Sequence, residues 1–142
     1  MADTDWLDML THQQELHRFS RALLPQNQKR TLTASELELL SQLYLQEACT
    51  PLDLSRLTGM KKEAVSRSLK QLLEKDCVSR TRHPSDERSY VLTLTEEGSR
   101  KLEENYGPIL QPLYELRRQL GDDFAPLFTL IARANRAMHT EL

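Results

Sequence analysis

Cysteine is scarce in this chain: Cys49 and Cys77 are the only two in 142 residues. They match no zinc or redox spacing and define no disulfide framework. No apolar run approaches the ~20 residues needed to cross a bilayer. The first ten residues carry three aspartates and no basic residue, whereas a secretory signal opens on positive charge. The chain has no internal repeat and no low-complexity segment. Serine, histidine and aspartate occur, but no nucleophile elbow, phosphate loop or metal-hydrolase motif frames them. These absences argue against a secreted, membrane-bound or catalytic protein. The expectation is a bacterial-type cytoplasmic protein that is not an enzyme and takes no cofactor.

The composition is that of an ordinary folded chain, with 39% hydrophobic and 28% charged residues. The formal net charge is only −2, but it is unevenly spread. Residues 54–92 hold nine Lys/Arg against five Asp/Glu, a local +4, and the remainder is −6. A basic middle in an acidic chain is the electrostatic footprint of a nucleic-acid-binding module.

Periodicity divides the chain into elements. Residues 4–24 read as a helix with Trp6, Leu10, Leu16, Phe19 and Leu23 near one face, ended by Pro25. Thr33 to Glu36 is a capping box. The helix it opens draws its buried stripe from Leu37, Leu40, Leu43 and Tyr44. Thr50-Pro51 opens a short helix anchored by Leu54 and Leu57 and closed by Gly59. Residues 61–75 form another, with Val65, Leu69 and Leu72 inward. The period then changes to two over residues 90–94, with 78–82 as partner strand and His83 to Ser89 as the hairpin loop. Thr95 starts a long helix, which Pro108 and Pro112 are expected to kink or divide. Gly121-Asp122 separates a final helix.

Short helix, glycine turn, longer helix and β-hairpin is the order of a winged helix-turn-helix. The fold class is therefore mainly α with a small β-hairpin, the winged region flanked by N- and C-terminal dimerisation helices. The boundaries fall at 31–95 for the DNA-binding region and at 1–30 plus 96–142 for the helical dimerisation region. In the second helix of the pair, Glu63, Ser66, Arg67 and Lys70 project opposite the apolar stripe. Lys61 and Lys62 sit in its first turn, where unpaired backbone N–H groups also meet phosphate. Arg67 has the fork that reads guanine edges in a major groove. Arg80 and Arg82 on the first wing strand complete the phosphate contacts.

The sequence resembles the MarR family of bacterial transcription regulators. The resemblance rests on Leu32-Thr33, Thr50-Pro51-Leu52-Asp53-Leu54, Val65-Ser66-Arg67-Ser68-Leu69 and Val78-Ser79-Arg80. It continues through Asp86-Glu87-Arg88-Ser89 and Leu94-Thr95-Glu96-Glu97-Gly98. It implies that Arg88 at the wing tip enters a minor groove while Asp86 holds its guanidinium, with Ser89 beside them. The chain departs from the family pattern at Asp76 and Cys77, where a glycine and a bulky apolar residue usually precede the wing.

Trp6, Leu10, Leu16 and Phe19 at one end, and Phe124, Leu127, Phe128 and Ile131 at the other, exceed what one small core absorbs. A homodimer on double-stranded DNA accounts for them, its recognition helices ~34 Å apart to match a palindrome. The resemblance implies the same interface. It also implies a repressor released by a small aromatic or anionic effector. His12, His17 and Arg18 on the first helix are the candidate effector contacts. His12 and His17 are five residues apart, off a common face, and make a poor metal pair. Both cysteines read as buried and inert. The alternative from another class is a winged-helix module that binds a partner protein without DNA.

Overall fold

A computed structural model describes residues 4–23, 30–82, 85 and 90–139. The helices are α1 (Thr4–Leu23), α2 (Ala34–Gln46), α3 (Pro51–Thr58), α4 (Lys62–Glu74), α5 (Glu96–Leu120) and α6 (Phe124–His139). The strands are β1 (Ala48–Cys49), β2 (Val78–Arg82) and β3 (Tyr90–Leu94), in one antiparallel sheet of order β1-β3-β2. The mainly α winged helix-turn-helix class is borne out. Strand β1 is an addition to the expected elements. It pairs Ala48 with Thr93 and Cys49 with Leu92, and two residues are too few to show a period. Among the described residues no helix is long and apolar enough to cross a membrane.

The chain divides into two compact units, Asn27–Pro108 and Met1–Gln26 with Ile109–Leu142. The division runs through α5 at Pro108, beyond the boundary after residue 95 drawn from sequence. Pro108 and Pro112 do not divide the helix, which runs unbroken from Glu96 to Leu120. Each proline removes one N–H from the helical ladder.

In the Asn27–Pro108 unit, local signals start and stop each element. Thr33 and Glu36 form the expected capping box on α2, and Thr50 and Asp53 form a second one on α3, with Pro51 at its first position. Gly59 ends α3 at φ 75°, a left-handed conformation natural to glycine. The core is built on Leu39, Leu40, Leu43, Leu54, Val65, Leu72 and Leu92, all essentially inaccessible. Two expected core residues are not in it. Tyr44 is 56% and Leu57 46% exposed. Leu39 replaces Tyr44 because α2 is covered by α3, α4 and β3, so its buried arc is wide. The eight-residue α3 reaches the core through Leu54 alone.

The joint between α4 and the wing is a Schellman turn. Asp76 N–H donates to the Leu73 carbonyl and Cys77 N–H to that of Leu72, with Asp76 left-handed at φ 58°. Aspartate thus occupies the position where the resembled family usually has glycine, and its short polar side chain tolerates that conformation better than most. Cys77, fully buried, takes the apolar position that follows. Thr95 locks the other side. Its N–H donates to the Cys77 carbonyl at 3.1 Å, its hydroxyl donates to the Asp76 carbonyl, and its Oγ1 accepts from Gly98 N–H at 2.9 Å. Gly98 packs so closely that a Cβ there would sit 2.0 Å from the Cys77 carbonyl oxygen.

The other unit is different in kind. Not one described residue of α1, α6 or the stretch of α5 beyond Pro108 is buried. Trp6 is 61%, Leu130 58% and Met138 79% exposed. Phe124 and Phe128 meet in a tilted pair with centroids 4.8 Å apart, and Leu110, Leu113, Tyr114, Arg117 and Phe124 line a shallow cavity of about 160 Å³.

Candidate nucleic-acid interface

Helix α4 turns two faces to two environments. Val65, Ser68, Leu69 and Leu72 are buried, which fixes its back to the core. Lys61, Lys62, Glu63, Ser66, Arg67 and Lys70 are all exposed, so the 61–70 stretch places every sequence-predicted residue outward on one element. The turn that aims the helix is stapled. Ser55 Oγ donates to the Met60 carbonyl at 2.7 Å, and Met60 N–H donates to Thr58 Oγ1 at 3.1 Å. Sequence reasoning passes over these two hydroxyls, although a Ser and a Thr flanking the helix-ending glycine are a readable signal.

The N-terminus of α4 contrasts with those of α2 and α3. Both of those are closed by capping boxes, whereas Lys61 at the α4 cap makes no side-chain cap hydrogen bond. The first-turn N–H groups of α4 are therefore left to an outside acceptor, and an anion suits them.

The wing carries its cations on one face. Val78, Arg80 and Arg82 alternate with Ser79 and Thr81 along β2. Arg80 pairs with Leu92 and Arg82 with Tyr90 across the hairpin. The Arg80 guanidinium lies over the Tyr90 ring, 4.9 Å from its centroid. Asp86, Arg88 and Ser89 lie outside the described residues.

The ion pairs among the described residues involve other side chains. Arg18 pairs with Glu15, Arg100 with Glu97 and Glu104, and Arg118 with Glu115, each within its own helix. Lys75 pairs with Glu36 at 2.8 Å. Among the described residues, Lys61, Lys62, Arg67, Lys70 and Arg82 have no acidic partner within salt-bridge distance. Cations left unpaired on one surface are available to phosphate.

The Glu36–Lys75 pair is a second feature that sequence reasoning misses. Glu36 is fully buried. Its Oε1 accepts from Thr33 N–H, and both its oxygens accept from Lys75 Nζ, at 3.1 and 2.8 Å. Burial pushes its carboxyl up, but the hydrogen bonds from Lys75 and Thr33 outweigh that and hold it below the ordinary carboxylate range. The pair ties the end of α4, where the wing begins, to the start of α2. Lys75 belongs to the fold and not to the free basic surface.

Cys49 and Cys77 are buried, and burial raises both thiols above their ordinary range. His12, His17 and Arg18 are exposed on α1. His17 Nε2 lies 2.8 Å from the Arg21 guanidinium, and Arg18 is 3.6 Å from Glu15. The structure does not bring the three together around either of two described cavities.

The family model for the MarR family matches residues 32–90, which span the capped α2, the helix pair and β2 and end at the first residue of β3. Over this stretch the chain is similar to the MarR family. A curated relative, the uncharacterized HTH-type transcriptional regulator YdgJ of Bacillus subtilis, is 39% identical over 72 residues, 51% of this chain and 44% of that protein. The chain thus spans less than half the length of that relative. Among solved MarR-type structures, a mutant MarR from E. coli complexed with operator DNA superposes with a TM-score of 0.58 at 23% identity. It covers 73% of this chain and 75% of that one. BpsR of Bordetella bronchiseptica, whose DNA binding is regulated by 6-hydroxynicotinic acid, gives 0.59 at 21% identity over 94% and 92%. At these identities the structures establish the shared fold. Gly98, whose missing side chain leaves room for the Cys77 carbonyl, lies beyond the matched residues.

Proposed function

We propose that this protein is a sequence-specific DNA-binding transcriptional regulator. In this reading it is a cytoplasmic homodimeric repressor on a palindromic operator. The observation that carries the reading is the exposed surface of α4 and β2, whose outward lysines and arginines lack acidic partners among the described residues. Arg67 reads a base edge in the major groove. Lys61, Lys62, Lys70, Arg80 and Arg82 hold phosphates, helped by the open N-terminus of α4. Asp86, Arg88 and Ser89 form the wing tip, with Arg88 in the minor groove. The division into a winged region and a helical dimerisation region follows. The exposed apolar residues of α1 and α6 supply the two-fold interface. The DNA-bound MarR supports the first part, and BpsR supports a small anionic or aromatic effector, with His12, His17 and Arg18 as its candidate contacts.

The test is an affinity series on labelled duplexes tiling the DNA upstream of its own gene, with particle mass measured in parallel. Arg67→Ala should cost about 1–3 kcal/mol at one base position and relax preference there. Arg88→Ala should weaken binding most where the flank is A·T-rich, and Asp86→Ala should act as a milder version of it. Dimer mass should survive all three. Binding of a protein partner with no affinity for any duplex would replace the reading with a protein-interaction module.

A further inference from the structure

We infer that Tyr90 is a positioning residue of the nucleic-acid interface, acting through Arg80. The inference rests on the DNA-binding reading above and deepens it. Tyr90 opens β3 and stands directly opposite Arg82 in the register, with Arg80 on the diagonal. All three share the face that carries Val78 and Leu92 into the core, so the ring extends the apolar face one step out along the wing. Of the two arginines flanking it, Arg80 has its guanidinium over the ring, 4.9 Å from the centroid.

Arginine side chains on a strand are exposed and free to rotate, and ordering one on a phosphate costs rotamer entropy. A guanidinium laid on an aromatic face has part of that cost removed before DNA arrives. Its N–H groups stay available, because stacking uses the face of the guanidinium and not its donors. Arg80 and Arg82 are also two residues apart on the same side of one strand, where like charges repel. The ring gives one of them a fixed place. Tyr90 itself need not touch the nucleic acid.

The half-buried Tyr90 also covers the end of the core, so a merely structural role has to be separated from a positioning one. Coupling to Arg80 does this. Affinity for the tiled upstream duplexes would be measured for wild type, Arg80→Ala, Tyr90→Leu, Tyr90→Phe and the Arg80→Ala/Tyr90→Leu pair, with thermal unfolding of each. Tyr90→Phe keeps the ring and should bind as wild type does. Tyr90→Leu should bind about two- to fivefold more weakly, the range of an exposed cation–π contact. In the Arg80→Ala background the same change should cost nothing further. Losses that simply add, or a Tyr90→Leu protein that binds like wild type, would overturn the inference. A Tyr90→Leu protein with lowered thermal stability still decides the matter, since a structural defect weakens the Arg80→Ala protein as well. Failure of the wild-type protein to bind any duplex would sink the DNA-binding reading itself.

Discussion

The two units of this chain use leucine in opposite ways. In Asn27–Pro108, Leu39, Leu40, Leu43, Leu54, Leu72 and Leu92 are closed off from solvent. In the unit formed from the two ends, Leu7, Leu10, Leu16 and Leu130 are exposed, and no described residue is buried. Helices gain most of their stability from packing an apolar face, not from intrinsic propensity. The winged unit meets that requirement from its own sequence. The end-derived unit has apolar faces of the same kind without the burial, which is the condition a second copy relieves in the proposed dimer. In that dimer one chain holds a region whose stability is internal and a region whose stability depends on concentration.

The strongest way to break the comparison is a matched pair of truncations. Leu40→Ala should lower unfolding free energy by about 2–5 kcal/mol through lost burial and a cavity, by the same amount at low and high protein concentration. Leu130→Ala should cost little within one chain, and its effect should appear as a weakened concentration dependence of the melting temperature. Equal, concentration-independent costs at both sites would show that the end-derived unit is self-sufficient. Next in size is Gly98→Ala. A Cβ 2.0 Å from the Cys77 carbonyl oxygen forces the α5 start away from the wing joint, at about 3 kcal/mol in urea unfolding.

Lys75→Met should follow at about 1–2 kcal/mol, discounted because the Lys75 side chain is 36% exposed and partly screened. Here pH supplies the sign. The Glu36 carboxyl is depressed in the folded state, so its stabilisation is present above the unfolded carboxylate pKa and is lost as pH falls through the folded one. The gap between wild type and Lys75→Met should therefore be widest near neutrality and close on acidification. A gap that is flat with pH would mean that the pair acts by packing alone. The smallest expected effect has the opposite sign. A Cβ placed on Gly107 would meet no atom within 4 Å, so Gly107→Ala should stabilise α5 by about 0.5–1 kcal/mol. The two glycines of one helix would thus respond in opposite directions.

Local chemistry makes most of this architecture readable. Thr33 with Glu36, Thr50 with Pro51, and Gly59 each mark a helix end within four residues, and Val65, Leu69 and Leu72 mark the inward face of α4 without reference to anything distant. The outward residues of the candidate interface follow from the same wheel. What escapes is set by partners far along the chain. Glu36 reads as a cap from its neighbours, and nothing local says that Lys75 will close on it. Strand β1 exists because Cys49 finds Leu92. The stacking of Arg80 on Tyr90 depends on a hairpin register that the weak alternation of residues 78–82 leaves open. Tyr44 and Leu57 show the converse error, since a periodic apolar residue is buried only where another element covers it. The prolines of α5 read as breaks because their cost is local, while the helix on either side that outweighs it is long.

The two-residue strand β1 also bears on the order in which the winged unit assembles. Helices α2, α3 and α4 and the β2–β3 hairpin close contacts between near neighbours in sequence. Joining Ala48 to Thr93 instead closes a long loop, and such closure is entropically unfavourable until its surroundings have formed. Strand β1 is then a late seam, laid down after the transition state has been crossed. Cys49→Ala should accordingly leave the refolding rate nearly unchanged and appear as faster unfolding. The seam would act as a latch on the lifetime of the folded wing and not as a guide to finding it.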